Sequence, residues 1–181
     1  MEGQLAKDVF QQIYDTLNSV NHVPYDCGNL CDKACCQRID ADMGIYLLPN
    51  EHLVLQGETG WLTWEEHLAQ NYDFPASWQG NTYFLHCNGN CPREKRPIQC
   101  RTFPLTPHLS SRGDLMLIWE TLELPYSCPL LNKREALDKD FIKALFNAWQ
   151  TLVNDPLIRD LVDYDSRNRE AERAIVEVIY R

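Results

Sequence analysis

The sequence has no long apolar run and no excess of positive charge, and both shortages limit what the protein can be. Its 17 Lys and Arg residues are outnumbered by 26 Asp and Glu residues, which gives a formal net charge of −9. A general nucleic-acid binder or a polybasic membrane attachment needs surplus Lys and Arg, so we expect neither nucleic acid nor membrane as a partner. No apolar stretch approaches the length that crosses a bilayer.

The N-terminal stretch MEGQLAKDVFQQIYDTL lacks the basic segment followed by an apolar run that is typical of a secretory signal. We therefore expect a cytosolic protein, in which thiols stay reduced. This expectation disfavours disulfides as the reason for the high cysteine content.

Cysteine is the residue that stands out, with eight copies in 181 residues. Packing explains scattered single cysteines, which behave as small apolar residues, but four thiols within residues 27–36 need another reason. Such clustering indicates metal binding, and we take every cysteine as a candidate ligand: Cys27, Cys31, Cys35, Cys36, Cys87, Cys91, Cys100 and Cys128.

The spacing of the thiols allows two kinds of metal site. Thiolates select zinc, copper(I) or iron–sulfur clusters. The gaps Cys27–Cys31 and Cys87–Cys91 each contain three residues, within the range of zinc ligand pairs, although C-x-x-C occurs nowhere. If residues 27–35 were helical, their thiols would share one face at a separation that favours a cluster. Cys-Pro steps at 91–92 and 128–129 also favour a cluster, so we expect an iron–sulfur cluster in preference to zinc.

The adjacent pair Cys35 and Cys36 raises a separate question. Two neighbouring side chains cannot readily face one metal, so one of them serves a second site or packs inward. Eight thiols suit two four-ligand sites, or one site with spare cysteines.

The apolar pattern predicts an α+β fold, a single small domain with helices around a short antiparallel sheet or hairpin and cysteines on the loops. We expect one domain over 1–181, with a metal-binding region at about 25–130 and C-terminal helices over 134–180. The predicted helices are 4–19, one beginning at 49–51, 63–70, 134–154, 157–163 and 166–180, and the predicted strands are 44–48, 81–87 and a hairpin around 110–114.

Five histidines were weighed as further ligands. His86, next to Cys87, could replace a thiolate, and His22 and His108 lie near the cysteines in sequence. For these three an ordinary exposed or core imidazole is the favoured interpretation. His52 and His67 fall on predicted helices and are not expected to bind metal.

At RPIQCRTFPL, residues 96–105, the chain resembles the YkgJ-type cysteine-cluster family, whose domain is described as zinc- or iron-chelating. The resemblance covers about residues 25–130 and includes the Cys35–Cys36 pair, IYLLPNE at 45–51 and the pattern R-P-x-x-C-R-x-F-P at 96–104. The chain departs from the family pattern in the three-residue gaps of its first cysteine group and in PRE after Cys91.

Some relatives of that family are described as flagellin lysine N-methylases, which implies S-adenosylmethionine and a lysine substrate. Because this chain has no G-x-G-x-x-G, we expect a binding protein in preference to an enzyme. A third alternative is an adaptor with a structural zinc, whose aromatic residues in 61–78 would contact a protein partner.

The two arginines of the resembling segment, Arg96 and Arg101, have two interpretations. They could hydrogen-bond cluster sulfurs or hold an anionic ligand beside the metal. Alternatively, they could pair with carboxylates or bind carbonyl groups in an irregular loop, and this structural role is the one we favour for both.

Overall fold

The helices of this chain enclose two small antiparallel sheets, so the predicted α+β class is confirmed. The structure is a computed structural model that describes residues 1–25, 27–37, 43–89, 91–134 and 136–181. Predictions that touch Asp26, residues 38–42, Asn90 or Glu135 lie outside the described residues at those positions. In the part of the chain that is described, no helix is both long enough and apolar enough to cross a lipid bilayer.

The connections between these elements range from two residues, 103–104, to the long segment 19–44, which contains the first cysteine group. The helices are α1 (Lys7–Asn18), α2 (His52–Leu55), α3 (Ile98–Thr102), α4 (Pro129–Lys133), α5 (Lys139–Leu152) and α6 (Pro156–Ala171). The strands are β1 (Ile45–Tyr46), β2 (Leu62–Leu68), β3 (Asn81–Cys87), β4 (Leu105–Leu109), β5 (Leu115–Trp119) and β6 (Val178–Tyr180).

Two long helices supply much of the core because each carries apolar residues at helical spacing. Helix α1 buries Phe10, Ile13, Tyr14 and Leu17, and it packs against α5, which buries Phe141, Leu145, Phe146 and Trp149 among others. These side chains belong to one continuous cluster that also includes residues from both sheets. The predicted helices 4–19 and 134–154 are thus confirmed with shorter limits.

The first sheet contradicts one of our helix predictions. Residues 63–70 were predicted to be helical, but Leu62–Leu68 form strand β2, which pairs antiparallel with the whole of β3. Glu65 and Glu66 favour a helix, which is why a helix was predicted here. Strand formation depends on cross-strand packing more than on local propensity. Strand β3 lies in the middle of this sheet, in the order β1–β3–β2, and it ends at Cys87.

The second sheet corrects the predicted C-terminal helices. The hairpin β4–β5 forms as predicted, with Gly113 at a φ of +85° in its turn. Helix α6 continues as one helix to Ala171, where two helices were predicted, and the chain then ends in strand β6 beside β5. The β-branched residues of VIY favour an extended backbone, which explains why the predicted helix 166–180 does not reach its expected end.

Glu51 is fully buried and joins three parts of the chain. Its carboxylate accepts hydrogen bonds from the Tyr14 hydroxyl at 2.8 Å, from the Ile98 amide at 2.7 Å and from the Leu48 amide at 3.0 Å. Burial raises the pKa of Glu51, although these three donors oppose the rise. Because Ile98 is the first residue of α3, this carboxylate fixes the start of the helix that carries Cys100.

We predict that Glu51→Gln will lower the free energy of unfolding of the metal-free, reduced chain by about 1–3 kcal/mol, because the amide nitrogen leaves a buried donor without an acceptor. Urea unfolding followed by far-UV circular dichroism measures the change. Glu94→Gln, at an exposed position in the turn before α3, is the matched control and should unfold like the parent. Equal stabilities of the two variants would contradict the role given to Glu51.

Candidate metal centre

The first cysteine group is irregular and does not form an α-helix. Cys27–Leu30 and Ala34–Cys36 form two short 3₁₀ turns, separated by Asp32 and Lys33 with left-handed φ angles of 50° and 55°. The shared helical face that would have favoured an iron–sulfur cluster is therefore absent from these described turns. One of the reasons for expecting an iron–sulfur cluster in preference to zinc is therefore removed.

The remaining cysteines are positioned by regular elements or lie next to them. Cys87 is the last residue of β3, opposite Leu62 of β2, and Cys91 lies four residues farther along the chain, beyond Gly89 with its φ of +87°. Cys100 lies in α3 and Cys128 immediately precedes α4. All eight cysteines are within the described residues, and none of them forms a disulfide.

Four thiols line one small cavity. Cys27, Cys31, Cys35 and Cys128 form part of its wall and are called the cavity thiols below. The cavity has a volume of about 30 Å³, and it is completed by His22, Gly28, Phe103, Tyr126, Pro129 and Leu130. Space of this size accepts a single ion or water molecule.

The other four thiols, Cys36, Cys87, Cys91 and Cys100, are not part of the wall of this cavity formed by the described residues. They are called the Arg96 thiols because each interacts electrostatically with Arg96, which also interacts with Cys35 and Cys27. The thiols of Cys87 and Cys91 hydrogen-bond to each other, and charges on Cys36 and Cys87 act on Cys100. The positive charge of Arg96 acts on Cys87, Cys91 and Cys100, while the charge of Cys36 acts on Arg96. The two groups meet at Cys35 and Cys36, whose sulfurs are 3.9 Å apart.

Crowding makes these thiols difficult to ionise together. The hydrogen bond with Cys36 is the main cause of the raised pKa of Cys35, followed by burial. In the Cys87–Cys91 pair the shared hydrogen bond lowers the pKa of Cys87 and raises that of Cys91, so one thiol ionises easily and the second resists. Solvent reaches Cys100, yet the surrounding protein desolvates its thiol and, with Cys87 and Cys36, raises its pKa. A bound cation would remove this penalty.

Arg96 provides positive charge inside this negative region. Burial acts to lower its pKa, but the charges of Cys36, Cys91, Cys35 and Cys27 outweigh burial and raise the pKa. Its buried Nε atom has no hydrogen-bond partner among the described residues. The structural role favoured for Arg96 stays a prediction.

Arg101 has the structural role that was predicted for it. Its Nε donates to the carbonyl of Arg96 at 2.6 Å, its Nη1 donates to Asn18 Oδ1 at 2.7 Å, and its guanidinium lies 4.5 Å from the centre of the Tyr14 ring. These contacts tie α3 to α1 and hold the backbone at Arg96. Arg101 thus supports the segment from which the side chain of Arg96 extends.

The histidine predictions have a mixed outcome. His86 uses its ring nitrogens with the carbonyl of Met43 at 3.0 Å and with Glu65 at 3.2 Å, which leaves it engaged away from the thiols. His22 is the imidazole that approaches a cysteine, with Nε2 at 2.9 Å from Cys27 Sγ. The signal in the sequence was the position of His22 five residues before Cys27.

The other three histidines lie away from the thiols in the structure. His108 is buried in β4, with no hydrogen-bond partner for Nδ1 in the described part of the chain. His52 stacks on Tyr83 with ring centres 4.1 Å apart. His67 lies on strand β2, not on the predicted helix, and hydrogen-bonds the Tyr46 hydroxyl at 2.9 Å.

The thiols are close together without having converged on one point. Within the described ranges, no set of three or more His, Cys, Asp or Glu side chains is arranged so that it could hold a metal ion. The thiols form neighbouring pairs or line a cavity wall. To bind a metal ion, their side chains would have to turn toward a common centre.

No protein-family model, curated protein or solved structure matches this chain. The resemblance to the YkgJ-type family remains a prediction from the motifs of residues 25–130. The site must therefore be interpreted from its own geometry and chemistry.

The different roles of the two arginines lead to a prediction for the metal-free, reduced chain. Arg101→Gln should lower the free energy of unfolding by about 2 kcal/mol, because it removes charge-assisted hydrogen bonds made by a buried guanidinium. Arg96→Gln is the matched control, and its loss should be clearly smaller, since Nε has no partner among the described residues. Chemical denaturation measures both variants, and a larger loss for Arg96→Gln would reverse the assignment.

Proposed function

We propose that this chain is a cytosolic metal-binding protein that holds a soft metal through its clustered cysteine thiolates, as an iron–sulfur cluster or as zinc. The observation that carries the proposal is the gathering of eight thiols from residues 27–36, 87–91, 100 and 128 around one small cavity and one arginine. Such a concentration of soft donors suits these metals and disfavours magnesium or calcium.

The donor set fits a metal for electrostatic reasons. Neighbouring thiols contribute to the raised pKa values of Cys35, Cys91 and Cys100, so these three thiols resist ionisation in protein without a cation. Binding releases their protons to solvent and replaces repulsion between sulfurs by attraction to the metal. Only reduced thiols bind in this way, and thiols stay reduced in the cytosol, where we place the protein.

The chain's own residues support this role around the sulfurs. Arg96 offsets negative charge that remains on a thiolate-bound metal, and His22 hydrogen-bonds Cys27, which orients that sulfur. A bound cluster would supply electron transfer, whereas a bound zinc ion would supply a structural link between loops.

Different observations favour the two metals. The number of thiols and the Cys-Pro steps at 91–92 and 128–129 favour a cluster. The cavity of about 30 Å³ favours a single ion at the cavity thiols. Metal content decides between them directly.

We predict that protein purified without oxygen will contain a soft metal bound to its cysteines. Iron with a matching amount of acid-labile sulfide and broad visible absorption would identify a cluster, while zinc without sulfide would identify a structural site. Elemental analysis, a sulfide assay and a visible spectrum make the measurement. Protein that holds neither metal, and that takes up neither when reconstituted under reducing conditions, would contradict the proposed function.

We also predict that Cys100→Ser and Cys35→Ser will each lower metal content and thermal stability together, because metal affinity contributes to the free energy of folding. Metal analysis and a melting curve measure each variant. Asn29→Ser is the matched control, since Asn29 is exposed in the same 3₁₀ turn as Cys27 and carries no thiol. If both cysteine variants kept their metal and melted like the control, the thiolate site would be wrong.

A further inference from the structure

The eight thiols divide into two equal groups by their surroundings. The cavity thiols share one wall, and Cys27 also packs against the buried Cys128. The Arg96 thiols come from the end of β3, the segment after it, α3 and the second 3₁₀ turn. None of the Arg96 thiols lines the cavity formed by the described residues.

The boundary between the groups lies within one dipeptide. Cys35 lines the cavity, whereas the carbonyl of its neighbour Cys36 lies 3.8 Å from the position that a Cβ atom would take on Gly89. Gly89 lies between Cys87 and Cys91 in the sequence. The Cys35 side chain and the Cys36 backbone therefore contact different parts of the site, and the two sulfurs lie 3.9 Å apart at the boundary.

From this division we infer that the chain has two metal sites, one formed by Cys27, Cys31, Cys35 and Cys128 and the other by Cys36, Cys87, Cys91 and Cys100. The inference rests on the proposed function and adds the number of sites and the membership of each. Four thiolates complete a structural zinc site, and four also complete the ligand set of a cubic iron–sulfur cluster. A single centre would leave half of the thiols without a metal.

The surroundings of the thiols can offset negative charge. Each thiol that binds loses its proton to solvent, so four thiolates and one divalent ion leave two excess negative charges. Arg96 interacts with Cys36 and Cys91 of the second site and also with Cys35 and Cys27 of the first, where the imidazole of His22 hydrogen-bonds the sulfur of Cys27. Both are the kind of surrounding interaction that tunes a metal centre.

Pairs of cysteine substitutions test the division. Cys128→Ser and Cys91→Ser should each remove about half of the metal bound per chain. The double variant Cys31→Ser/Cys128→Ser, with both changes in one site, should lose no more than Cys128→Ser alone. The double variant Cys91→Ser/Cys128→Ser, with one change in each site, should lose nearly all of it. Far-UV circular dichroism confirms that each variant is folded.

A second measurement needs no substitution. Metal-free, reduced protein receives increasing Zn²⁺, and at each addition iodoacetamide labels the exposed thiols, which mass spectrometry of peptides identifies. The cavity thiols should become protected as one set of four and the Arg96 thiols as another, with saturation at about two Zn²⁺ per chain.

The outcomes separate this inference from the proposed function. Saturation at one Zn²⁺, protection that mixes members of the two sets, or complete loss of metal in Cys31→Ser/Cys128→Ser would overturn the two-site assignment and leave metal binding intact. Parent protein that binds no metal, with no thiol protected by Zn²⁺, would overturn the proposed function itself.

Discussion

The buried carboxylate of Glu51 is the constraint on which the arrangement of the site depends. It receives a side-chain donor from α1 and a backbone donor from the start of α3, so the two helices and the turn before α2 are held by one group. Removing such a group from water is costly unless its hydrogen bonds are made, and here they are. Arg101 adds a second link between α3 and α1 through Asn18 and Tyr14. The helix that carries Cys100 is therefore fixed by polar contacts without any contribution from metal.

The other thiol segments have a different kind of support. The segment of residues 27–36 consists of two short turns with mostly exposed or half-buried residues, and its thiols gain little from packing. Cys87 and Cys100 lie on regular elements. A metal shared between these two residues and the irregular turns would link the two parts of the site. We therefore expect metal binding to stabilise the irregular segment more than it stabilises the sheet.

Much of the fold could be predicted from the sequence, because apolar spacing identified α1, β3, the β4–β5 hairpin and α5. Strand β2 could not, since Glu65 and Glu66 suggest a helix until the partner strand is known. The clustering of cysteines identified the candidate ligands, but which of them line the cavity is a tertiary property. The motif R-P-x-x-C-R does not distinguish its two arginines either. Helix α3 begins between the two arginines. The Arg101 side chain contacts Asn18 at the end of α1, whereas Arg96 interacts with the thiols.

The left-handed residues Asp32 and Lys33 have a consequence for how this segment can vary. The Lys33 amide donates to the Gly28 carbonyl at 2.9 Å, which closes the reversal between the two 3₁₀ turns. An insertion or deletion between Cys31 and Cys35 would disturb this reversal and change the direction in which the Cys35–Cys36 dipeptide leaves it. The number of residues in this gap therefore determines how the two 3₁₀ turns lie relative to each other, and homologues that alter it should group their cysteines differently.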